Sequence, residues 1–147
     1  MAQINVEAGR AAWADDLPVE QMEPRNDWYA QNLAIALAAF VAEDDGEPVG
    51  FVVVRESQDG DGAGTGEVDT FYTRPAVWGR GIGRALLDRG VAELREAGFR
   101  QATLWTSDFN TRARAIYERH GWRLDGATRE KVFVGVTFIE LRYRLDL

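Results

Sequence analysis

One segment restricts the fold of this chain more than any other. From Arg74 to Leu87 it reads Arg-Pro-Ala-Val-Trp-Gly-Arg-Gly-Ile-Gly-Arg-Ala-Leu-Leu. It follows a strand-like run, Glu67 to Thr73, and opens a run in which Ile82, Leu86, Leu87, Val91 and Leu94 recur at helical spacing. A strand that turns directly into an amphipathic helix calls for a sheet with a helix layer against it, which is an α/β arrangement. Gly79, Gly81 and Gly83 let the backbone come close to a ligand. The helix start adds unpaired N–H groups and the positive end of its dipole. Arg74, Arg80 and Arg84 add charge, so the segment reads as a pyrophosphate site. Its plain alternative is a tight turn with arginines in water.

The rest of the chain builds outward from that turn. Val6 to Trp13 predicts a helix limited by Pro18. Asn26-Asp27 predicts an N-cap for a second helix carrying Trp28, Leu33, Ile35, Leu37 and Phe40. Phe40-Val41-Ala42 and Val49 to Val54 predict a hairpin across Asp45-Gly46, the second strand buried on both faces. Ser57 to Gly66 predicts a flexible Gly/Asp connection. Its hint of a calcium loop fails at Ala63, which carries no oxygen ligand. Gly81 to Ala97 is a helix stopped by Gly98, Ala102 to Thr106 a strand, and Asn110 to His120 a helix stopped by Gly121. Two strands close the chain, near Trp122–Thr128 and Val136–Leu145. The whole is one domain over residues 1–147, a mixed α/β sheet with helices on both faces.

Composition removes several chemistries. There is no cysteine, and His120 is the one histidine, so thiolate and multi-histidine metal sites and a cysteine nucleophile are excluded. No metal site is expected. No Gly-x-Ser-x-Gly elbow serves His120. The Gly-rich turn is neither a dinucleotide fingerprint, since Arg84 stands where a third spaced glycine belongs, nor a Walker loop, since no Gly-Lys-Ser/Thr follows. A net charge of −7 argues against a nucleic-acid partner. No apolar run reaches transmembrane length and no signal peptide opens the chain, so the expected location is cytoplasmic. The charge is uneven. Residues 1–50 hold ten acids and two arginines, while residues 51–147 hold fourteen acids and fifteen bases. Arginine outnumbers lysine so heavily, Lys131 being the single lysine, that a GC-rich bacterial genome explains the bias better than chemistry does.

Two linked motifs sharpen the reading. Gly81 and Gly83 occupy the small positions of a Gln/Arg-x-x-Gly-x-Gly/Ala turn. Asn110, Ala113 and Tyr117 form Asn-x-x-Ala-x-x-x-Tyr, followed by Gly121 and Trp122. On these residues the chain resembles the GCN5-related N-acetyltransferase (GNAT) superfamily over most of its length, the hairpin Phe40–Arg55 included. It departs at Trp78, which replaces the Gln/Arg, and in its poor likeness to the family's usual first strand.

The resemblance implies a mostly antiparallel twisted sheet, splayed between the fourth and fifth family strands, and the cofactor acetyl-CoA. The N–H groups of Trp78, Gly79, Arg80, Gly81, Ile82, Gly83 and Arg84 are expected to hold its pyrophosphate. Asn110 is expected on its pantetheine or phosphate arm, Arg112 as a further cofactor contact, and the backbone of Phe71, Tyr72 and Thr73 along the pantetheine. Glu67, or Asp69 beside it, would take the proton of an amine, since a carboxylate can act directly or through water. Tyr117 would protonate the departing thiolate. Strict alternation sets Glu67, Asp69, Phe71 and Thr73 on one face, and a bulge between Asp69 and Phe71 would repair that mixture.

Residues 1–40 are expected to wall the acceptor side and residues 41–147 to form the cofactor-binding core. Trp13, Trp28 and Tyr29 either line the acceptor pocket or pack in the core. Trp105 is core or pocket wall. Glu20 and Glu23 would favour a cationic amine. The expected activity is acetyl transfer to a primary amine of a small molecule or peptide in a ternary complex, with a homodimer possible. A non-catalytic acyl-CoA sensor on the same fold is the alternative, and a nucleotide-binding α/β domain a weaker one.

Overall fold

The computed structural model describes all 147 residues. Its α-helices and strands run, in chain order, α1 (Ala2–Ala12), α2 (Asn26–Leu33), β1 (Ala38–Asp44), β2 (Glu47–Glu56), β3 (Gly66–Thr73), α3 (Ile82–Glu96), β4 (Gln101–Ser107), α4 (Thr111–Arg119), β5 (Arg123–Phe133) and β6 (Val136–Asp146). One six-stranded sheet carries the strands in the order β1-β2-β3-β4-β6-β5. Every neighbouring pair is antiparallel except β3 with β4.

β2 explains why both faces are covered. Val49 to Val54 is buried throughout, and alternation sends successive residues to opposite sides. Val52 and Val54 pack with Leu86, Leu87 and Leu94 of α3 and with Tyr117 of α4. Phe51 and Val53 pack with Ala2 and Ile4 of α1 and Tyr29 of α2. α3 lies close on its strands: a Cβ on Gly90 would stand 3.1 Å from both Val52 and Val54. No helix is long and apolar enough to cross a membrane.

The structure shifts several expected boundaries. α2 stops at Leu33, and Ala38 is already in β1, so the expected helix through Phe40 is cut short. The edge strand wins there because Leu37 N–H and the residues after it find β2 partners, beginning at Val54 O 2.9 Å away. Asn26 is the first helical residue, not the cap, and its side chain makes no cap bond. α1 begins four residues before Val6. The Ser57–Gly66 connection is tied down, not loose. Asp59 and Asp61 accept from Arg142 of β6 at 3.0 and 2.7 Å, and Asp59 also accepts from the Trp105 ring nitrogen at 3.0 Å. That bidentate pairing lowers Asp61 to a pKa of about 2.

The feature that creates a site is the junction of β3 and β4. They pair only at Gly66–Ala102 and Glu67–Thr103 and then part. β3 also carries a bulge. Val53 lies opposite Thr70 and Val54 opposite Val68, which leaves Asp69 as the extra residue. The bulge therefore falls at Asp69, one position before the expected place. It sends Asp69 and Thr70 to the α1 face, while Val68 and Phe71 stay on the α3/α4 face.

Candidate active site

The parting of β3 and β4 opens a cleft of about 570 Å³ that passes between the two faces of the sheet. A volume of this size suits a small-molecule ligand. On the α3/α4 face it is lined by Phe71, Thr73, Trp78, Gly79, Gly81, Gly83, Arg84, Asn110, Arg112 and Tyr117. On the α1 face it is lined by Trp13, Leu17, Asp69, Trp105, Phe138 and Glu140.

The first mouth is made mainly of backbone. Gly79 and Gly81 have φ of 80° and 84°, the left-handed region, and a Cβ at either would meet nothing within 4 Å. The turn is thus open in front and conformationally reserved for glycine. The N–H groups of Gly79, Gly81, Ile82, Gly83 and Arg84 have no backbone or side-chain acceptor. Five donors converge at the start of a fifteen-residue helix, which suits an anionic oxygen cluster such as a pyrophosphate. The guanidinium of Arg112 stacks 4.2 Å from the Trp78 ring, whose nitrogen donates to Thr73 O at 3.0 Å. Trp78 therefore ties the turn back to β3.

The Arg80 side chain, expected here, lies elsewhere. Arg80 turns away to a bidentate pair with Asp44 on the β1–β2 hairpin, at 2.7 and 3.2 Å, and does not line the cleft. Ile82 contributes its N–H but packs its side chain into the core.

In the passage itself, β3 offers free backbone. Arg74 N–H donates to Val49 O at 2.7 Å, and antiparallel alternation then pairs Tyr72 with Phe51. The amide groups of Phe71 consequently point to the unpaired β4 side. Tyr117 faces the same passage. It is buried, its hydroxyl has no protein hydrogen-bond partner, and burial pushes its pKa upward, so the group stays protonated. Asn110 caps α4, its Oδ1 accepting from Ala113 N–H at 3.3 Å. Tyr72 lies on the α1 side between Trp13 and Phe51, and burial first, then Glu140 and Asp69, push its hydroxyl up to about 12.

The second mouth is made of side chains. Asp69 lines the cleft, whereas Glu67 is buried behind it and does not. Both contact Arg55 of β2: Nη2 lies 2.6 Å from Asp69 Oδ1, and Nε donates to Glu67 Oε2 at 3.3 Å. Burial raises both carboxyls above the ordinary range and Arg55 pulls against it. Asp69 Oδ2 is buried without a partner, as is Trp13 Nε1. Glu140 of β6 also lines this mouth and accepts from Arg129 at 2.6 Å. Arg129 and Arg142 stack on Trp105 at 4.3 and 5.5 Å.

Of the remaining acceptor-side candidates, Trp13 and Trp105 line the cleft. Tyr29 and Trp28 instead belong to the core around Phe51, held by edge-on ring contacts at 5.5 and 4.9 Å. Glu20 and Glu23 are exposed and outside the cleft. Sequence reasoning missed Arg55, Leu17, Phe138 and Glu140. Strand alternation near Val136–Leu145 was the one signal that set Phe138 and Glu140 on a common face.

Comparison with known sequences shows the family to which a chain with this split sheet belongs. The chain belongs to the acetyltransferase (GNAT) family, whose sequence model matches residues 5–122. It is similar to the mycothiol acetyltransferase of Geodermatophilus obscurus, 34% identical over 116 residues, covering 77% of this chain and 35% of that protein. It resembles that of Thermobispora bispora, 34% identical over 122 residues, covering 79% and 39%. The chain spans about a third of the length of these curated relatives. Among solved structures it superposes on a GCN5-related N-acetyltransferase from Rhodopseudomonas palustris with a TM-score of 0.78, 24% identity and coverage of 99% and 87%. It also superposes on the PaiA N-acetyltransferase of Thermoplasma acidophilum, solved with coenzyme A, with a TM-score of 0.76, 15% identity and coverage of 99% and 90%.

Proposed function

We propose that this chain is an acetyl-CoA-dependent N-acetyltransferase that acts on a primary amine of a small molecule or peptide by direct transfer in a ternary complex. The observation that carries this is the passage through the sheet. Five free N–H groups stand at one mouth, the Asp69 carboxyl lines the other, and an unpartnered tyrosine hydroxyl lies between. The absence of cysteine supports direct transfer over a thioester formed on the enzyme.

The bound thioester supplies an activated acetyl group. The residues supply the rest. Gly79 to Arg84 and Arg112 hold the pyrophosphate end, and the Phe71 C=O accepts from the pantetheine arm as an added strand would. Asp69 accepts a proton from the acceptor nitrogen as that nitrogen bonds to the acyl carbon and the carbon–sulfur bond breaks. A strand N–H at Phe71 donates to the carbonyl oxygen, where charge develops. Tyr117 donates to the departing sulfur. Asp69 is preferred over Glu67 because it lines the cleft, whereas Glu67 stands behind it.

Asp69 and Glu140 favour a cationic acceptor. The matched relatives include mycothiol acetyltransferases, and a similar solved structure is the ribosomal-protein-S18-alanine N-acetyltransferase of Escherichia coli, so small-molecule and peptide amines both belong in the trial panel. The test is turnover of acetyl-CoA over that panel, read by thiol release, beside a thermal shift with coenzyme A. Binding with no turnover of any amine would leave the sensor reading. No shift with coenzyme A would end both.

A further inference from the structure

We propose that Arg55 is a positioning residue for the acyl-transfer reaction: its guanidinium fixes the Asp69 carboxylate at the bulge by holding Oδ1. This rests on the reading of Asp69 as the base given above.

The geometry is specific. Arg55 lies in β2, and the pairing of Arg55 with Glu67 places it beside the bulge. Its three nitrogens address three partners on two other elements. Nε donates to Glu67 Oε2 at 3.3 Å, Nη2 meets Asp69 Oδ1 at 2.6 Å, and Nη1 donates to Asn32 Oδ1 of α2 at 3.5 Å. Asn32 is itself anchored, its Nδ2 donating to Trp28 O at 2.8 Å. The Arg55 side chain is 15% exposed, with Glu67 at 7% and Asp69 at 8%. A guanidinium so confined cannot follow the carboxylate if it rotates. One rotamer of Asp69 is therefore selected, as a preorganised catalytic group requires.

The bulge makes this clamp necessary. An extra residue in a strand is left unpaired and can swing. At the bulge both carboxylates reach the same cation from one side of the sheet. Two acids sharing one guanidinium leave one excess negative charge in a buried pocket. Asp69 Oδ2 is the atom that carries no partner. Oδ2 is also out of contact with solvent, so Oδ1 on Arg55 is the polar contact that holds this carboxylate.

Other charged and titratable groups face Asp69. Glu67 and Tyr72 do so from β3, Tyr29 from α2, Arg129 from β5, and Glu140 from β6 beside Tyr72. Burial, and the Glu67 carboxyl beside it, favour the protonated acid, while Arg55 and Arg129 favour the carboxylate. Arg129 is already held by Glu140 at 2.6 Å, which leaves Arg55 as the cation in direct contact. Removing it would raise the pH at which Asp69 becomes a base.

The experiment compares wild type with Arg55→Met and Arg55→Lys. It measures kcat/KM against pH with the best amine of the panel, the kcat and KM components, and the thermal shift with coenzyme A. For Arg55→Met the expected result is an acid limb moved up by about 1–3 pH units, since an adjacent opposite charge shifts a carboxyl by that much. The coenzyme A shift should be unchanged, and activity should recover toward alkaline pH. Arg55→Lys keeps the charge and should restore most of the limb while kcat stays low, because a point charge cannot hold two carboxylates as a fork does. If Arg55→Met does not fold, the Lys variant decides through its low kcat. A uniform activity loss with an unmoved acid limb, or a Lys variant with wild-type kcat, would overturn the proposal. Asp69→Asn with full activity would instead remove the base assignment beneath it, and no coenzyme A shift in wild type would remove the acyltransferase reading itself.

Discussion

The two mouths of the cleft are built from different materials. The α3/α4 mouth uses main-chain donors in one continuous stretch, Gly79 to Arg84, fixed by two left-handed glycines and a helix start. The α1 mouth uses side chains from six separate elements or segments: Trp13 and Leu17 beyond α1, Asp69 of β3, Trp105 of β4, Glu140 of β6, with Arg55 of β2 and Arg129 of β5 behind the two acids. A backbone cradle recognises a feature common to every coenzyme A thioester and tolerates changes in the surrounding side chains. A side-chain mouth can change its acceptor with each substitution. The contrast implies that substitutions on the α1 side should alter catalysis and choice of acceptor, whereas those on the α3/α4 side should alter cofactor affinity.

The largest expected effect is on the α1 side. Asp69→Asn keeps the shape and the contact with Arg55 but removes the proton acceptor. It should lower kcat by about 10²–10⁴-fold, the usual contribution of a positioned base, with the coenzyme A thermal shift unchanged. Stopped-time thiol release and the thermal shift on one preparation check both halves. A lost coenzyme A shift would mean the two mouths are not separable. In wild type the acid limb of kcat/KM should lie above the ordinary carboxylate range, because burial raises Asp69 further than Arg55 lowers it. Activity is then lost as pH falls through that raised value.

Tyr117→Phe comes next and probes the passage between the mouths. Its hydroxyl is unpartnered and kept protonated by burial, so the substitution removes one donor and disturbs no protein hydrogen bond. Loss of one preorganised donor to developing charge costs about 10²-fold in kcat. The fold should be unaffected, since the ring still packs on Phe71, Trp122 and Tyr143 at 6.4, 6.4 and 5.8 Å. Unchanged turnover with a good substrate would show that the thiolate leaves unaided.

The same contrast explains what the sequence could reveal. The α3/α4 mouth is local, so glycine spacing, a capping Asn110 and a helical tyrosine identify it in one reading frame. The alternation of β2 likewise shows a strand covered on both sides. The α1 mouth is non-local. Arg55 and Asp69 are fourteen positions apart, and only the β2–β3 register and the bulge at Asp69 bring them together. Glu140 reaches the cleft because β6 pairs with β4, a crossover that no short pattern encodes. Arg80 misled for the opposite reason. It stands inside the Gly-rich turn, but a bidentate partner on a distant hairpin takes the side chain away. The helix after Asn26 was overread because Ile35, Leu37 and Phe40 fit helical spacing, whereas edge pairing with β2 offers that backbone more partners.

Gly81→Ala tests the backbone mouth. Its φ of 84° is left-handed, and a Cβ there meets open space, so strain and not collision is the cost. Holding a non-glycine residue in that region costs about 1–2 kcal/mol. If the turn relaxes to avoid it, the donors separate and coenzyme A binds about tenfold more weakly, the equivalent of about 1.4 kcal/mol. The kcat at saturating acetyl-CoA should stay within a small factor of wild type. A fall in kcat with unchanged affinity would place the turn in the chemistry and blur the division between the mouths.

The smallest effect tests the acidic first third directly. Glu20 and Glu23 belong to the most acidic stretch of the chain, yet both are exposed and neither lines the cleft. At physiological ionic strength exposed charges act over about 8 Å before salt screens them. The acids that a cation would meet inside are Asp69 and Glu140. Replacing both outer residues, Glu20→Gln with Glu23→Gln, should therefore change KM for a cationic amine by less than about twofold in 0.15 M salt, as exposed charge interactions generally do. Any effect should grow as salt is lowered, because it would reflect attraction at long range and not contact. Measuring KM for matched cationic and neutral amines at two ionic strengths separates the cases. A tenfold, salt-insensitive rise confined to the cationic amine would mean that the segment around Glu20 closes over the α1 mouth when the acceptor binds. The side-chain mouth would then extend to residues that stand outside it here.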